Sequence, residues 1–115
     1  MKIKSVLPVR QFVVGIKKNI KIKETTFLKL KNDEQVVFNC FHPKKYDFVK
    51  KNWGYYATPS INFRLKNQGF KTALIQNRKK RTYLVVIDKK KISEFKKYCK
   101  QENLQVYLWL DQIKI

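Results

Sequence analysis

The chain has 115 residues, with 27 lysines and arginines against 8 aspartates and glutamates, for a formal net charge of +19. That length supports one modest core. With 43% hydrophobic and 14% aromatic residues, the composition argues against disorder over the whole length, no apolar run approaches the roughly 18–20 residues of a membrane span, and the Met1–Pro8 start lacks the long apolar stretch of a secretory signal.

Residues 1–34 read as a β-rich extension. Lys2–Val6 alternates basic and apolar side chains, Gln11–Ile16 is an apolar run, and Ile20–Leu30 alternates again, while Pro8 and Gly15 mark bends or a bulge. Asn32-Asp33 supplies a turn before the β-prone run Gln35–Phe41. The period then changes. Pro43 suits the first turn of a helix over 43–53, with Tyr46, Val49 and Trp53 on one face and Gly54 as a stop. A second helix over 58–68 has Thr58 as N-cap, Pro59 at the first position, Ile61 and Leu65 on one face, and a Gly69-Phe70 ending. Strands follow at Lys71–Gln76 and Thr82–Ile87. The second is apolar on both faces and so reads as central in its sheet. Ile92, Phe95, Tyr98 and Cys99 mark an amphipathic helix from about Lys89 to Asn103, and Leu104–Leu110 reads as the last strand, with Leu108 and Leu110 beside Leu104 and Val106 on its apolar face.

From Gln35 onward this is a β-αα-β-β-α-β order, so the expected fold is α+β: a ferredoxin-like core over 35–115 with the 1–34 extension, in a single domain. A winged helix-turn-helix competes, with Ser60, Asn62, Arg64 and Asn67 lining a recognition helix. It fits less well, because Arg64 then occupies a core position and the last helix and strand are left over.

A surface this positive repels itself unless a polyanion neutralises it. Only Arg10, Arg64, Arg78 and Arg81 are arginines. Lysine acts on phosphate as a point charge, whereas arginine supplies the fork that reads guanine edges, so the balance favours backbone and shape binding. Two segments concentrate the signal. Arg78, Lys79, Lys80 and Arg81 stand together at the tip of an expected hairpin, where a solvated turn is the plain reading and a phosphate contact the functional one. Lys50 and Lys51 precede Trp53, Tyr55 and Tyr56, which could stack on bases; Trp53 and one tyrosine also read as core residues anchoring the break between two helices. Arg64 and Lys66 extend the basic set. Arg81-Thr82-Tyr83-Leu84-Val85 meets only the basic first and aromatic third positions of the RNP1 pattern, so a standard RNA-recognition motif is not indicated.

Catalysis is poorly supplied. His42, the only histidine, reads as a helix cap. Its Cys40-x-His42 spacing lacks the further ligands of a zinc site, so no metal or other cofactor is expected. Asp88 before Lys89–Lys91 reads as a helix cap rather than a nuclease acid. A metal-independent ribonuclease with His42 as general base is the enzymatic alternative. Cys40 and Cys99 read as two buried free thiols in a cytoplasmic or other reducing, non-secreted compartment, with a disulfide as the alternative. The resulting expectation is a non-catalytic nucleic-acid binder, RNA slightly preferred to DNA, working in a nucleoprotein assembly and away from membranes. A duplex DNA binder and a basic adaptor for an acidic protein are the alternatives.

Overall fold

The structure, a computed structural model, describes residues 2–113, with 2–9 as backbone alone. It is α+β, with eight strands in three small sheets and two short helices. Among the described residues no helix is long and apolar enough to cross a membrane. The chain divides into two compact units, one made of the residues up to Val36 with Phe48–Tyr56, the other of Val37–Asp47 with the chain from Ala57 onward.

In the first unit, β1 (Lys2–Val14) and β2 (Ile20–Lys29) form an antiparallel ribbon. Register pairs Phe12 with Ile22 and Val14 with Ile20 on one face, and Gln11 with Lys23 and Val13 with Lys21 on the other. The pairing slips between Ser5 and Arg10, around Pro8, whose ring nitrogen has no proton to donate to a ladder. Gly15 takes φ +98° in the turn and its carbonyl accepts from Lys18 N–H at 3.0 Å. The expected bulge and turn are therefore both present.

β3 (Gln35–Phe41), β4 (Lys44–Lys51) and β5 (Gly54–Ala57) form the second sheet in that order. The helix expected over 43–53 is thus a strand and a turn. Three apolar residues, Tyr46, Val49 and Trp53, fit a helical face, but Tyr46, Phe48 and Val49 are also β-prone. The β3 strand lies only two residues away, so a hairpin partner is at hand and the local pairing wins. His42 and Pro43 form that turn, so His42 caps no helix, and the helix pair of a winged helix-turn-helix is not formed.

The third sheet has the order β7-β6-β8, from β6 (Phe70–Gln76), β7 (Thr82–Asp88) and β8 (Gln105–Trp109). Both outer strands run antiparallel to β6, so β7 and β8 are parallel to each other and α2 (Ile92–Gln101) carries the chain from one side of β6 to the other. This is a split βαβ unit. The ferredoxin-like order is not reproduced as a whole, because β3 pairs in a different sheet. Centrality also falls to the neighbour of the strand expected to hold it: β7 is an edge, with Tyr83 47% and Leu84 53% exposed, while Ala73 and Ile75 of β6 are buried. Apolar residues on both faces do not distinguish an edge from a centre when a crossover helix delivers the third strand beyond β6.

The helix expected over 58–68 contracts to α1 (Arg64–Asn67). Thr58 donates its hydroxyl to the Asp47 carbonyl instead of capping, and the Ser60 hydroxyl accepts from Arg64 N–H at 2.7 Å. The expected stop holds, with Gly69 at φ +91° and Phe70 buried behind it. In β8 the register skips one residue between Leu74–Leu108 and Ile75–Val106. The extra residue, Tyr107, reverses the alternation beyond it. Trp109 therefore turns toward α2, with its ring 6.3 Å from Phe95, and Leu108 is left 48% exposed, against its expected place on the apolar face.

Among the described residues the core lies in the second unit: Leu65, Phe70, Ala73, Ile75, Ile87 and Cys99 are all buried. Three carboxylates tie it together. Asp47, itself buried, pairs with Arg64; Asp88 pairs with Lys44 at 2.7 Å and accepts from Lys90 N–H at 2.9 Å; buried Asp111 accepts from Thr72 N–H and Lys71 Nζ, both at 3.2 Å. Asp88 does cap the turn that leads into α2, as its sequence context indicates.

Candidate nucleic-acid interface

The β6–β7 turn is built on Asn77. Its side-chain oxygen accepts from Lys79 N–H at 3.0 Å and Arg81 N–H at 2.9 Å, while its carbonyl accepts from Lys80 N–H at 2.9 Å. Lys80 takes φ +60° to complete the turn. The loop is therefore held by backbone and one amide, and Arg78, Lys79, Lys80 and Arg81 are exposed. Among the described residues, ion pairs engage six of the chain's 8 carboxylates, and none of their partners is in this loop. Unpaired like charges in one turn create a local positive potential that attracts a polyanion.

A cleft of about 480 Å³ opens beside this turn, lined by Gln76, Asn77, Arg78 and Lys80, by Cys99, Lys100 and Asn103 at the end of α2, and by Leu104 and Gln105 entering β8. Among the described residues no acidic side chain lines it. Gln76 donates to the Thr82 hydroxyl at 3.1 Å. Among the described residues no partner engages the charged groups of Arg78, Lys80 and Lys100 or the amides of Asn103 and Gln105. Lys100, Asn103 and Gln105 are not singled out by the sequence reasoning, because only the β6–β8 pairing, with Gln76 opposite Gln105, carries them to the hairpin. A second concavity, of about 590 Å³ between Pro43, Asn67–Gly69 and Lys89–Lys90, has part of its polar lining engaged internally: Lys44 is bound to Asp88, and both ends of the Gln68 amide are bound to the Lys45 backbone.

In the first unit, Lys50, Lys51, Trp53, Tyr55 and Tyr56 come together at the β4–β5 turn. All three aromatics are exposed, Trp53 by 66%, Tyr55 by 76% and Tyr56 by 52%, so none of them anchors a core as the plainer expectation had it. Successive strand residues point to opposite faces, and neither face of this short hairpin is covered at Tyr55 or Tyr56. The Trp53 and Tyr56 rings meet edge to face at 6.4 Å. Lys50 donates to the Asn32 side chain at 2.6 Å and Lys51 pairs with Asp33, so both cations are partly spent on holding the 32–33 turn.

The two remaining candidates lie on α1. Lys66 is exposed, whereas the Arg64 guanidinium is held by Asp47. His42 and Cys40 are exposed at the β3–β4 turn, so only Cys99 of the two free thiols is buried as expected. Burial pushes the Cys99 thiol above its ordinary value. Among the described residues, no three of His, Cys, Asp and Glu cluster closely enough to hold a metal ion. Comparison with known proteins finds no matching family model, no matching curated protein and no matching solved structure.

Proposed function

We propose that this protein binds nucleic acid without catalysing a reaction on it, through lysine and arginine contacts to phosphate and aromatic stacking on bases, with RNA slightly preferred. One observation carries the reading: a hydrogen-bonded turn presents Arg78, Lys79, Lys80 and Arg81, and among the described residues the ion pairs that engage six of the chain's 8 carboxylates involve none of them. Trp53, Tyr55 and Tyr56 supply stacking surfaces, which suit unpaired bases better than a closed duplex. Exposed Cys40 and buried Cys99, both as free thiols, suit a reducing compartment. The finer ferredoxin-like likeness is confined, in this reading, to the β6-β7-α2-β8 unit that carries the basic turn.

The test is titration against single-stranded RNA, duplex RNA and matched duplex DNA at two salt concentrations. Retained binding near physiological salt, strongest for single-stranded RNA and weakening as salt rises, is the expected result. No binding at that salt overturns the reading. A preference for one duplex DNA sequence replaces RNA by DNA as the target, and cleavage of labelled RNA that disappears in His42→Ala replaces binding by catalysis.

A further inference from the structure

Resting on that reading, we infer that the cleft beside the β6–β7 turn holds one unstacked nucleotide of the bound strand, its phosphate against Arg78, Lys80 and Lys100 and its base edge against the Asn103 and Gln105 amides.

The chemistry of the lining divides into what each part of a nucleotide needs. Three cations without a carboxylate among them favour an anion at the mouth, because their mutual repulsion is relieved when phosphate is present. Side-chain amides carry both a donor and an acceptor, the pairing that base edges present. Asn103 and Gln105 have no internal partner among the described residues, whereas the Asn77 oxygen is already committed to its own turn. Leu104 and Cys99 add an apolar wall to a volume of about 480 Å³, within the roughly 300–1,000 Å³ of small-molecule sites. A bare phosphate site would need the cations alone; the amides and the apolar wall are what select a nucleotide. In the other concavity Lys44 is bound to Asp88 and the Gln68 amide to the Lys45 backbone, which leaves Lys89, Lys90 and the single amide of Asn67 among the described residues, against three cations and two amides here.

Nuclear magnetic resonance titration of the whole protein with uridine 5′-monophosphate, inorganic phosphate and a uridine octamer tests this. Uridine monophosphate and the octamer should both shift the amide signals of Lys100, Asn103 and Gln105. Inorganic phosphate should shift only signals near Arg78, Lys80 and Lys100. In the Lys100→Gln and Gln105→Ala variants, both changed at exposed positions, octamer affinity should fall by roughly three- to tenfold each with the fold unchanged. Octamer binding that shifts residues 78–81 but leaves Asn103 and Gln105 untouched overturns the cleft while the proposed function stands. Inorganic phosphate reproducing every shift overturns the nucleotide as occupant. No octamer binding at all removes the proposed function and the cleft with it.

Discussion

Two hairpin turns, one in each unit, solve opposite problems with the same strand chemistry. The β4–β5 turn displays apolar aromatic surface, with Trp53, Tyr55 and Tyr56 exposed, and its two lysines are tied to Asn32 and Asp33. The β6–β7 turn displays charge, and its hydrogen bonds run through backbone and Asn77 so that no cation is consumed in holding it. A lysine in the sequence therefore does not have one meaning: at Lys51 it is partly structural, at Lys79 it is available. On the proposed reading the first turn contributes stacking, which is insensitive to salt, and the second contributes phosphate contacts, which are not.

The largest expected effect comes from emptying the charged turn. Replacing Arg78, Lys79, Lys80 and Arg81 together with Ser should lower the log–log salt slope of single-stranded RNA binding by about 0.7 for each phosphate released, hence by up to about 3. Affinity measured at two or more salt concentrations reads it. A slope that stays where it was would place the phosphate contacts elsewhere on the surface and dissolve the contrast between the turns.

Trp53→Ala and Tyr55→Ala address the other turn. Each should cost about 1–3 kcal/mol on a single strand if its ring carries a base, with the salt slope unchanged and duplex binding little affected. Both side chains are exposed, so thermal stability should stay close to that of the parent. Equal losses on duplex and single strand would argue for a structural role in the hairpin instead of stacking.

How far these turns could be read in advance depends on the range of the interactions that form them. The charged turn is local: Asn77 to Arg81 contains its own hydrogen-bond set, and its flanking strands alternate clearly. Gly69 and the Asp88 cap are local too. The segment 43–53 reads as a helix because Tyr46, Val49 and Trp53 share a helical face, although Tyr46, Phe48 and Val49 are equally β-prone, and the deciding fact is a strand two residues upstream. The centrality of β6 and the reversal at Tyr107 depend on where α2 delivers β8, and no window of sequence contains that. The same pairing brings Lys100, Asn103 and Gln105 to the charged turn, so half of the cleft was invisible until the sheet was known.

Arg64 separates the two meanings of a basic residue in a single side chain. It belongs to the set expected to contact phosphate, yet its guanidinium is bound to Asp47, which is 6% exposed. Arg64→Ala should leave that carboxylate without its cation and lower stability by about 1–3 kcal/mol, the guanidinium being partly in water. Chemical denaturation gives the loss, and the RNA salt slope should not change. A reduced slope with stability intact would return Arg64 to the interface.

Asp88 closes β7 at the end away from the charged turn, and its effect is the smallest and the most dependent on pH. The Lys44 ammonium that donates to it, together with the Lys90 N–H, holds its carboxyl below the ordinary value of 3.8. A carboxyl depressed in the folded state contributes stability that is fully present above its unfolded value and is lost as pH falls through the folded one. Asp88→Asn should therefore melt below the parent at pH 7 and pH 5, and the gap should close as pH drops below 3.8. Thermal melts across that range measure it. A gap that persists undiminished in acid would mean that the charge pair with Lys44 is not what the variant loses, since Asn keeps an oxygen to accept from the Lys90 N–H. RNA binding by the variant at neutral pH then tells whether the charged turn at the other end of the strand relies on that anchor.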